Sequence, residues 1–577
     1  MRAIKIVIII AILVVLAGLV YFVALPLYEK QKPGDDRVDL RTYLGIEGDE
    51  DVYIMLGEYP SFTQALVRGG KVYWELDSVK RHFADNFWIN MDEGLLLLTT
   101  ADEVVRAEDG ERYYTRHAEA FPAEGIEPEI VRTEAPVFFI EKGRCFVELD
   151  YAKQFSNFSY ELFNDPYRVQ IYIEDCSFEA VDVLKNTVVR EAMDIKSGIV
   201  TDLAAGDKLF VYSSTDEWSS VRTRDALRGY VENKYLSEEA SEIEISIPID
   251  YAAPPFTAMT EDRRICIAWD QVAMEEGNAG MLSRVAPAWP LDVISPTWYR
   301  ITDEGGTVES IASKDYVNDA HARGLMVWPL VDDLFGEFDR TAMLMSTTGR
   351  DNLISYLIGQ AKELGFDGLN LDFEQVPEEA ASGFEQLVRE LSVACRAHGL
   401  VFSIDNYPPR PRTEHYNRRL QGAVADYVII MGYDEHYSSA SGPGSVSSLP
   451  FVIDAIEQTL EVVPANKVIN AVPFYTRIWS TDHSDGTVRV EFTVGQRWQD
   501  EWITKRNLEP IWSEELGQHY TQIDDNNKTY QIWLENEASM QMRMDAMKER
   551  ELGGVSCWRL GLEPPAIWDI LGEYTRG

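Results

Sequence analysis

Two hydrophobic periods share this chain, and the places where one gives way to the other mark its parts. From residue 265 onward, apolar runs rich in β-branched and aromatic residues fall at 265–269, 293–299, 325–331, 368–373, 401–405, 427–433, 468–473 and 555–560. Longer stretches with helical spacing separate them, as at Leu353, Leu357, Ala361 and Leu364. Strands alternating with helices in this way predict an α/β fold, a (β/α)8 TIM barrel over residues 261–577. The interval 477–530 is too long for a simple loop, and its strand-like pieces at 487–492 and 529–534 predict a small α+β insertion. Ahead of the barrel the runs are shorter. Residues 29–185 predict paired β-rich α+β modules with an internal repeat, because Gly-Lys-Val-Tyr-Trp-Glu-Leu-Asp at 70–77 aligns with Gly-Arg-Cys-Phe-Val-Glu-Leu-Asp at 143–150. Residues 186–238 carry brief strands punctuated by Gly, Asp and Ser, and 239–260, with Pro248, Pro254 and Pro255, read as a linker.

The first 28 residues differ in kind. Residues 6–25 contain no charged side chain, and at about 1.5 Å per residue they can cross a hydrocarbon core of about 30 Å. Arg2 and Lys5 precede the run, which by the positive-inside tendency leaves the start of the chain in the cytoplasm and the rest outside. No small-x-small cleavage site follows Leu25, so a single-pass anchor in the cell membrane is expected in preference to a removed export signal.

Composition narrows the partners. Over 577 residues the formal net charge is −43, which argues against nucleic acid or an anionic membrane surface as a binding partner. The five cysteines are scattered, giving neither a disulfide framework nor a thiolate metal site, and Asp524-Asp525-Asn526-Asn527 lacks the glycine and distal glutamate of a calcium loop. No metal and no cofactor is expected.

Candidate chemistry sits in the fourth barrel run. Residues 366–374 read Phe-Asp-Gly-Leu-Asn-Leu-Asp-Phe-Glu, so that Asn370, Asp372 and Glu374 share one face of a strand and Leu369, Leu371 and Phe373 the other. Carboxylates on a strand with an apolar back either open onto a cleft or carry a large burial cost. The segment resembles the Asp-Gly-x-Asp-x-Asp-x-Glu signature of family 18 glycoside hydrolases, the chitinase-like superfamily, with Asn370 in place of the third acid. Met431-Gly432-Tyr433-Asp434, residues 467–475 and residues 554–563 resemble that family's following strands, in order, and the likeness is greatest to its bacterial envelope and spore-cortex branch. Residues 186–238 are similar to bacterial SH3-like domains, and the repeated modules resemble the small paired modules named after the amino-terminal domain of copper amine oxidase, here a spacer without copper.

The resemblance implies a retaining, substrate-assisted glycosidase in which the acetamide of the sugar replaces the usual nucleophilic carboxylate. Glu374 would be the acid and base, Asp372 its partner and holder of the acetamide N–H, and Tyr433 a donor to the acetamide oxygen. Asp367, Asn370, Met431, Asp434, Tyr475 and Trp558 would contact or line the sugar site. Trp269, Trp298, Tyr299, Trp328, Tyr407 and Trp479 serve equally as stacking faces or as barrel packing. Expected substrates are β-1,4-linked N-acetylglucosamine polymers, peptidoglycan or chitin-like, with cell-wall peptide as a partner of the SH3-like domain. The alternative is a non-catalytic, lectin-like glycan-binding protein of the envelope, and a third reading is an envelope scaffold whose amino-terminal modules carry the function.

Overall fold

The computed structural model describes residues 2–24, 30, 32–122, 127–334, 336–437 and 442–577. The chain forms two compact units, one of residues 1–85, 109–112 and 133–252, the other of residues 86–108, 113–132 and 253–577.

In the first unit the opening apolar run is helical from Arg2 to Leu19 and continues as a π-helix over Val20–Ala24. Ile6–Val23 is long and apolar enough to cross a membrane, and none of it is buried in the protein. The two copies of the repeat meet edge to edge. Strand Lys71–Glu75 pairs antiparallel with Arg144–Glu148 in a four-stranded sheet, Val147 opposite Trp74, and each copy turns into a short helix, Leu76–His82 or Leu149–Ala152. A seven-stranded antiparallel sheet built from Cys176–Asp182 through Ser241–Ile245 follows, around a core of Val181, Val189, Leu209, Val221 and Val231.

The second unit contains the barrel. Its strands are β1 (Ile265–Asp270), β2 (Val293–Ile301), β3 (Leu330–Asp332), β4 (Gly368–Asp372), β5 (Val401–Asn406), β6 (Tyr427–Met431), β7 (Val468–Pro473) and β8 (Gly554–Trp558). Each pairs in parallel with its sequence neighbours, and β1 pairs with both β2 and β8, so the sheet closes. Alternation divides every strand between two cores. Leu369, Leu371 and Phe373 face outward onto Leu353, Leu357, Phe384 and Leu387 of the surrounding helices. Ile267, Trp269, Leu330, Ile429 and Ile469 fill the barrel interior. Helix Thr347–Leu364 is started by Ser346, whose hydroxyl accepts from the Gly349 N–H, and is stopped by Gly365 at φ +74°, a conformation glycine adopts without strain.

The expected insertion is present between β7 and β8 as a five-stranded antiparallel sheet with the helix Gln496–Thr504. Its last strand, Lys528–Leu534, runs into Glu535, which is fully buried and accepts from both terminal nitrogens of Arg543 on helix Glu537–Glu549, at 2.6 and 2.8 Å. Another five-stranded antiparallel sheet, from Phe87–Asn90 to Glu129–Arg132, belongs to this unit through Arg106, both of whose terminal nitrogens donate to Asp351 at 2.6 Å.

Candidate active site

The inward positions of β4 rise in layers toward the carboxyl end of the barrel, where barrel enzymes place their chemistry. Asn370 lies in the lower layer, 1% exposed, and every hydrogen-bonding position of its amide is engaged. Its Oδ1 accepts from Trp269 Nε1 at 2.8 Å and from the Ser295 hydroxyl at 3.3 Å; its Nδ2 donates to Ser403 Oγ at 3.1 Å and to Asp405 Oδ1 at 2.9 Å. Asp372, one inward position higher, is 6% exposed. Glu374 follows just beyond the strand, half-buried, its backbone N–H donating to Asp333 Oδ1 at 2.8 Å, while Gln375 N–H donates to both oxygens of Asp333. Asp333 fixes the turn by which the chain leaves β4, and so fixes where the Glu374 side chain starts.

Burial raises the pKa of Asp332, Asp333, Asp372, Glu374 and Asp405 at this mouth. Asp372 is held well above the ordinary carboxylate range by desolvation and then by the charges of Glu374 and Asp405. Glu374 is raised by desolvation and by Asp333 and Asp434, against a hydrogen bond from Tyr407 that favours its ionised form. Asp332 is pushed up to about 6, chiefly by burial, and Asp405 well above its usual range for the same reason. Carboxyls crowded this closely titrate together, so a proton is retained among them where isolated carboxyls would have lost it.

The ends of β6, β7 and β8 supply the rest of the rim. Met431 is buried, and Tyr433 is half-buried with its ring 6.2 Å from that of Tyr475. Burial raises the Tyr433 phenol far above its usual range, which keeps it a hydrogen-bond donor. Asp434 adopts φ +59° and projects to solvent, fastened by the hydroxyl of Tyr475 and by Arg477 Nη1 at 2.7 Å. Trp558 is half-buried at the end of β8, its ring 5.8 Å from Trp269, and the peptide bond after it is cis.

Residues 338–563 match the model of glycosyl hydrolases family 18, and residues 185–237 that of the bacterial SH3 domain. The barrel is a family 18 glycosyl hydrolase domain. Among similar proteins, the cortical fragment-lytic enzyme of Bacillus subtilis (strain 168) is 26% identical over 257 residues, 43% of this chain and 59% of its own length. The uncharacterized glycosylase YvbX of the same organism is 24% identical over 291 residues, 48% of this chain and 82% of its own. The chain therefore spans little more than half of the first of these relatives. The solved C-terminal domain of a chitinase candidate from Desulfitobacterium hafniense superposes with a TM-score of 0.50 at 18% identity, over 54% of this chain and 99% of that one, a likeness of fold.

In this family 18 barrel Asp372, Glu374, Met431, Tyr433, Asp434, Tyr475 and Trp558 all lie at the carboxyl ends of their strands. Asp367 does not. It precedes β4 at the opposite end, where its carboxylate accepts from the Val327 N–H at 2.7 Å and meets His321 Nε2 at 2.9 Å; seven residues of strand, about 23 Å, separate it from Glu374. Its role is to fasten the start of the strand, and the expectation of a sugar contact is corrected accordingly. Asn370 is corrected as well, since it is enclosed beneath the site and touches protein on every side. Trp269, Trp298, Tyr299, Trp328 and Trp479 are all buried as packing, while Tyr407 is half-buried and bonds Glu374. Sequence reasoning missed Asp332, Asp333 and Asp405. The signal for Asp405 was present, because Ser403 and Asp405 interrupt an apolar run with the same period of two as Asn370 and Asp372. No cluster of three or more metal-ligating side chains occurs among the described residues.

Proposed function

We propose that the protein is a membrane-anchored glycoside hydrolase that cleaves β-1,4-linked N-acetylglucosamine-containing glycans, peptidoglycan or chitin-like chains, with retention of configuration. The observation that carries this reading is the pair Asp372 and Glu374 on successive inward positions of β4, both acids raised by burial, beneath a rim of Tyr433, Asp434 and Trp558. A raised Glu374 holds the proton it must give to the glycosidic oxygen. As that C–O bond breaks, the acetamide oxygen of the sugar bonds to the anomeric carbon, while Asp372 accepts from the acetamide N–H and offsets the positive charge. The Tyr433 hydroxyl donates to the acetamide oxygen and holds it in place. Water then attacks the anomeric carbon, Glu374 takes its proton, and the ring oxygen–carbon bond of the intermediate opens to return the acetamide.

The apolar helix Ile6–Val23 supports tethering, with Arg2 and Lys5 ahead of it keeping the start of the chain inside and the barrel outside the cell. The SH3 domain and the tether together favour peptidoglycan over chitin, with the SH3 domain contacting wall peptide and the repeated modules acting as spacer. The test is release of reducing sugar by the detergent-solubilised chain from chitin oligosaccharides and from purified peptidoglycan, beside Glu374→Gln. Cleavage that depends on Glu374 supports the reading, and the better substrate names the polymer. Binding of both polymers with cleavage of neither would leave a lectin.

A further inference from the structure

Two carboxyl oxygens at the barrel mouth have no hydrogen-bond partner among the described residues although both are buried: Oδ1 of Asp372 and Oδ2 of Asp405. They belong to neighbouring strands at one level. Asn370 pairs with Ser403 and Leu371 with Ile404, so Asp372 and Asp405 come next in register, and the alternation that turns Asp372 inward turns Asp405 inward too. Below them the Asn370 amide donates to the other oxygen of Asp405 at 2.9 Å and to Ser403 at 3.1 Å, which fixes the Asp405 carboxyl and leaves Oδ2 as its open side. An amide is the one group that can do this while also accepting from Trp269 and Ser295 on its other atom. A carboxylate at position 370 would offer Asp405 no donor.

Two adjoining carboxylates, 6% and 2% exposed and each with an orphaned oxygen, are costly when both are ionised. One proton between them removes that cost. The titratable groups that act on them are Glu374 and Tyr433, together with Asp332, Asp333, Tyr407 and Tyr416 on the Asp372 side; the cations Arg300 and Arg340 approach Asp332 and Asp333.

We infer that Asp405, oriented by Asn370, is a positioning residue that holds a proton for Asp372 during glycoside cleavage. This rests on the hydrolytic reading above. When the acetamide N–H arrives, the O–H bond on Asp372 breaks and the proton passes to Asp405, leaving Asp372 a carboxylate able to accept that N–H. When water has opened the intermediate, Glu374 has taken up the proton of that water and the acetamide N–H leaves, the O–H bond on Asp405 breaks and the proton returns to Asp372. No atom is gained or lost by the pair. The amide at position 370 and the acid at position 405 are thus one device divided between two strands.

The experiment compares kcat, KM and pH profile on chitin oligosaccharides for the full chain, Asp405→Asn, Asn370→Asp and the exchanged double variant Asn370→Asp/Asp405→Asn. Asp405→Asn is expected to lower kcat on the order of tenfold, less than loss of the acid itself, with KM within about twofold. Its alkaline limb should move to lower pH, because removing a neighbouring negative charge makes Glu374 and Asp372 easier to ionise. The exchanged variant, again one amide and one acid, should regain most of the rate and the parental limb, which repacking alone cannot produce. Parental kcat and limb in Asp405→Asn, beside an inactive Glu374→Gln, would overturn the inference. Should the parent cleave nothing, the hydrolytic reading fails and infrared absorption decides this one. A protonated-carboxyl stretch at neutral pH that survives Glu374→Gln and disappears in Asp405→Asn supports it, and absence of that band refutes it.

Discussion

Buried acids occur in two settings in the second unit, and their company differs. Glu390 and Arg350, on the helices behind β4, are both 0% exposed and joined by two hydrogen bonds, Nε to Oε2 at 2.8 Å and Nη2 to Oε1 at 3.3 Å. Arg350 also donates to the Leu344 carbonyl and lies 4.3 Å from the Trp88 ring centre, so its charge is shared among fixed partners. On the strands of the barrel, Asp372 and Asp405 are nearly as deeply buried and have acids for neighbours. Glu390 meets a guanidinium, whereas the charged groups that act on Asp372 are acids, which together with burial hold its carboxyl well above the ordinary range. Where a carboxylate holds the barrel together it is neutralised, and where it is to move protons it is left in a field of its own sign.

That contrast sets four expectations, the largest first. Glu374→Gln should cost about 10²–10⁴ in kcat while the melting temperature does not fall, since a carboxyl raised by burial does not stabilise the fold when ionised; sugar release and calorimetry on one preparation check both. Glu390→Gln should do the reverse. Leaving Arg350 buried without its counter-charge should cost about 3–5 kcal/mol in urea unfolding, with unchanged kcat in the folded fraction.

Asp332 sharpens the comparison through pH. Its folded pKa is raised from 3.8 to about 6, so the folded state binds the proton more tightly than the unfolded chain. The associated stability is complete below about pH 4 and is lost as pH rises through about 6, a swing of about 3 kcal/mol at 1.36 kcal/mol per unit. Asp332→Asn should flatten unfolding free energy over that interval. The smallest effect is expected at the rim, where Arg477 fastens an exposed Asp434. Arg477→Ala should change stability by less than about 1 kcal/mol and yet raise KM severalfold, because the Asp434 carboxylate is no longer aimed.

The barrel was legible in the chain because its eight apolar runs are bounded by helical spacing, and β4 was legible because three polar residues at period two cannot share a strand with Leu369, Leu371 and Phe373 unless one face is special. The insertion was visible through the length of the gap between β7 and β8. Asp405 was harder to see. The period of two in Ser403 and Asp405 turns the acid inward, but only the register of β4 against β5 brings it beside Asp372. Asp332 and Asp333 are hidden in the same way, standing one and two residues beyond the apolar run that ends at Val331. Asp367 shares the motif with Glu374 and yet lies at the other end of the barrel, because a strand carries residues apart by about 3.3 Å each. The sheet 87–132 follows the first copy of the repeat in sequence and yet belongs with the barrel, through Arg106 and Asp351, a pairing of residues far apart in the chain that no local pattern encodes.

One acid working with the acetamide of the sugar is the centre of the proposed chemistry. Proton NMR of chitin hexasaccharide during the first minutes of cleavage, with Glu374→Gln in a parallel tube, tests that most directly. The β-anomer of the product is expected to appear first and relax to the equilibrium mixture, and the variant to yield no product on this timescale. Initial appearance of the α-anomer, or undiminished cleavage by Glu374→Gln, would contradict it.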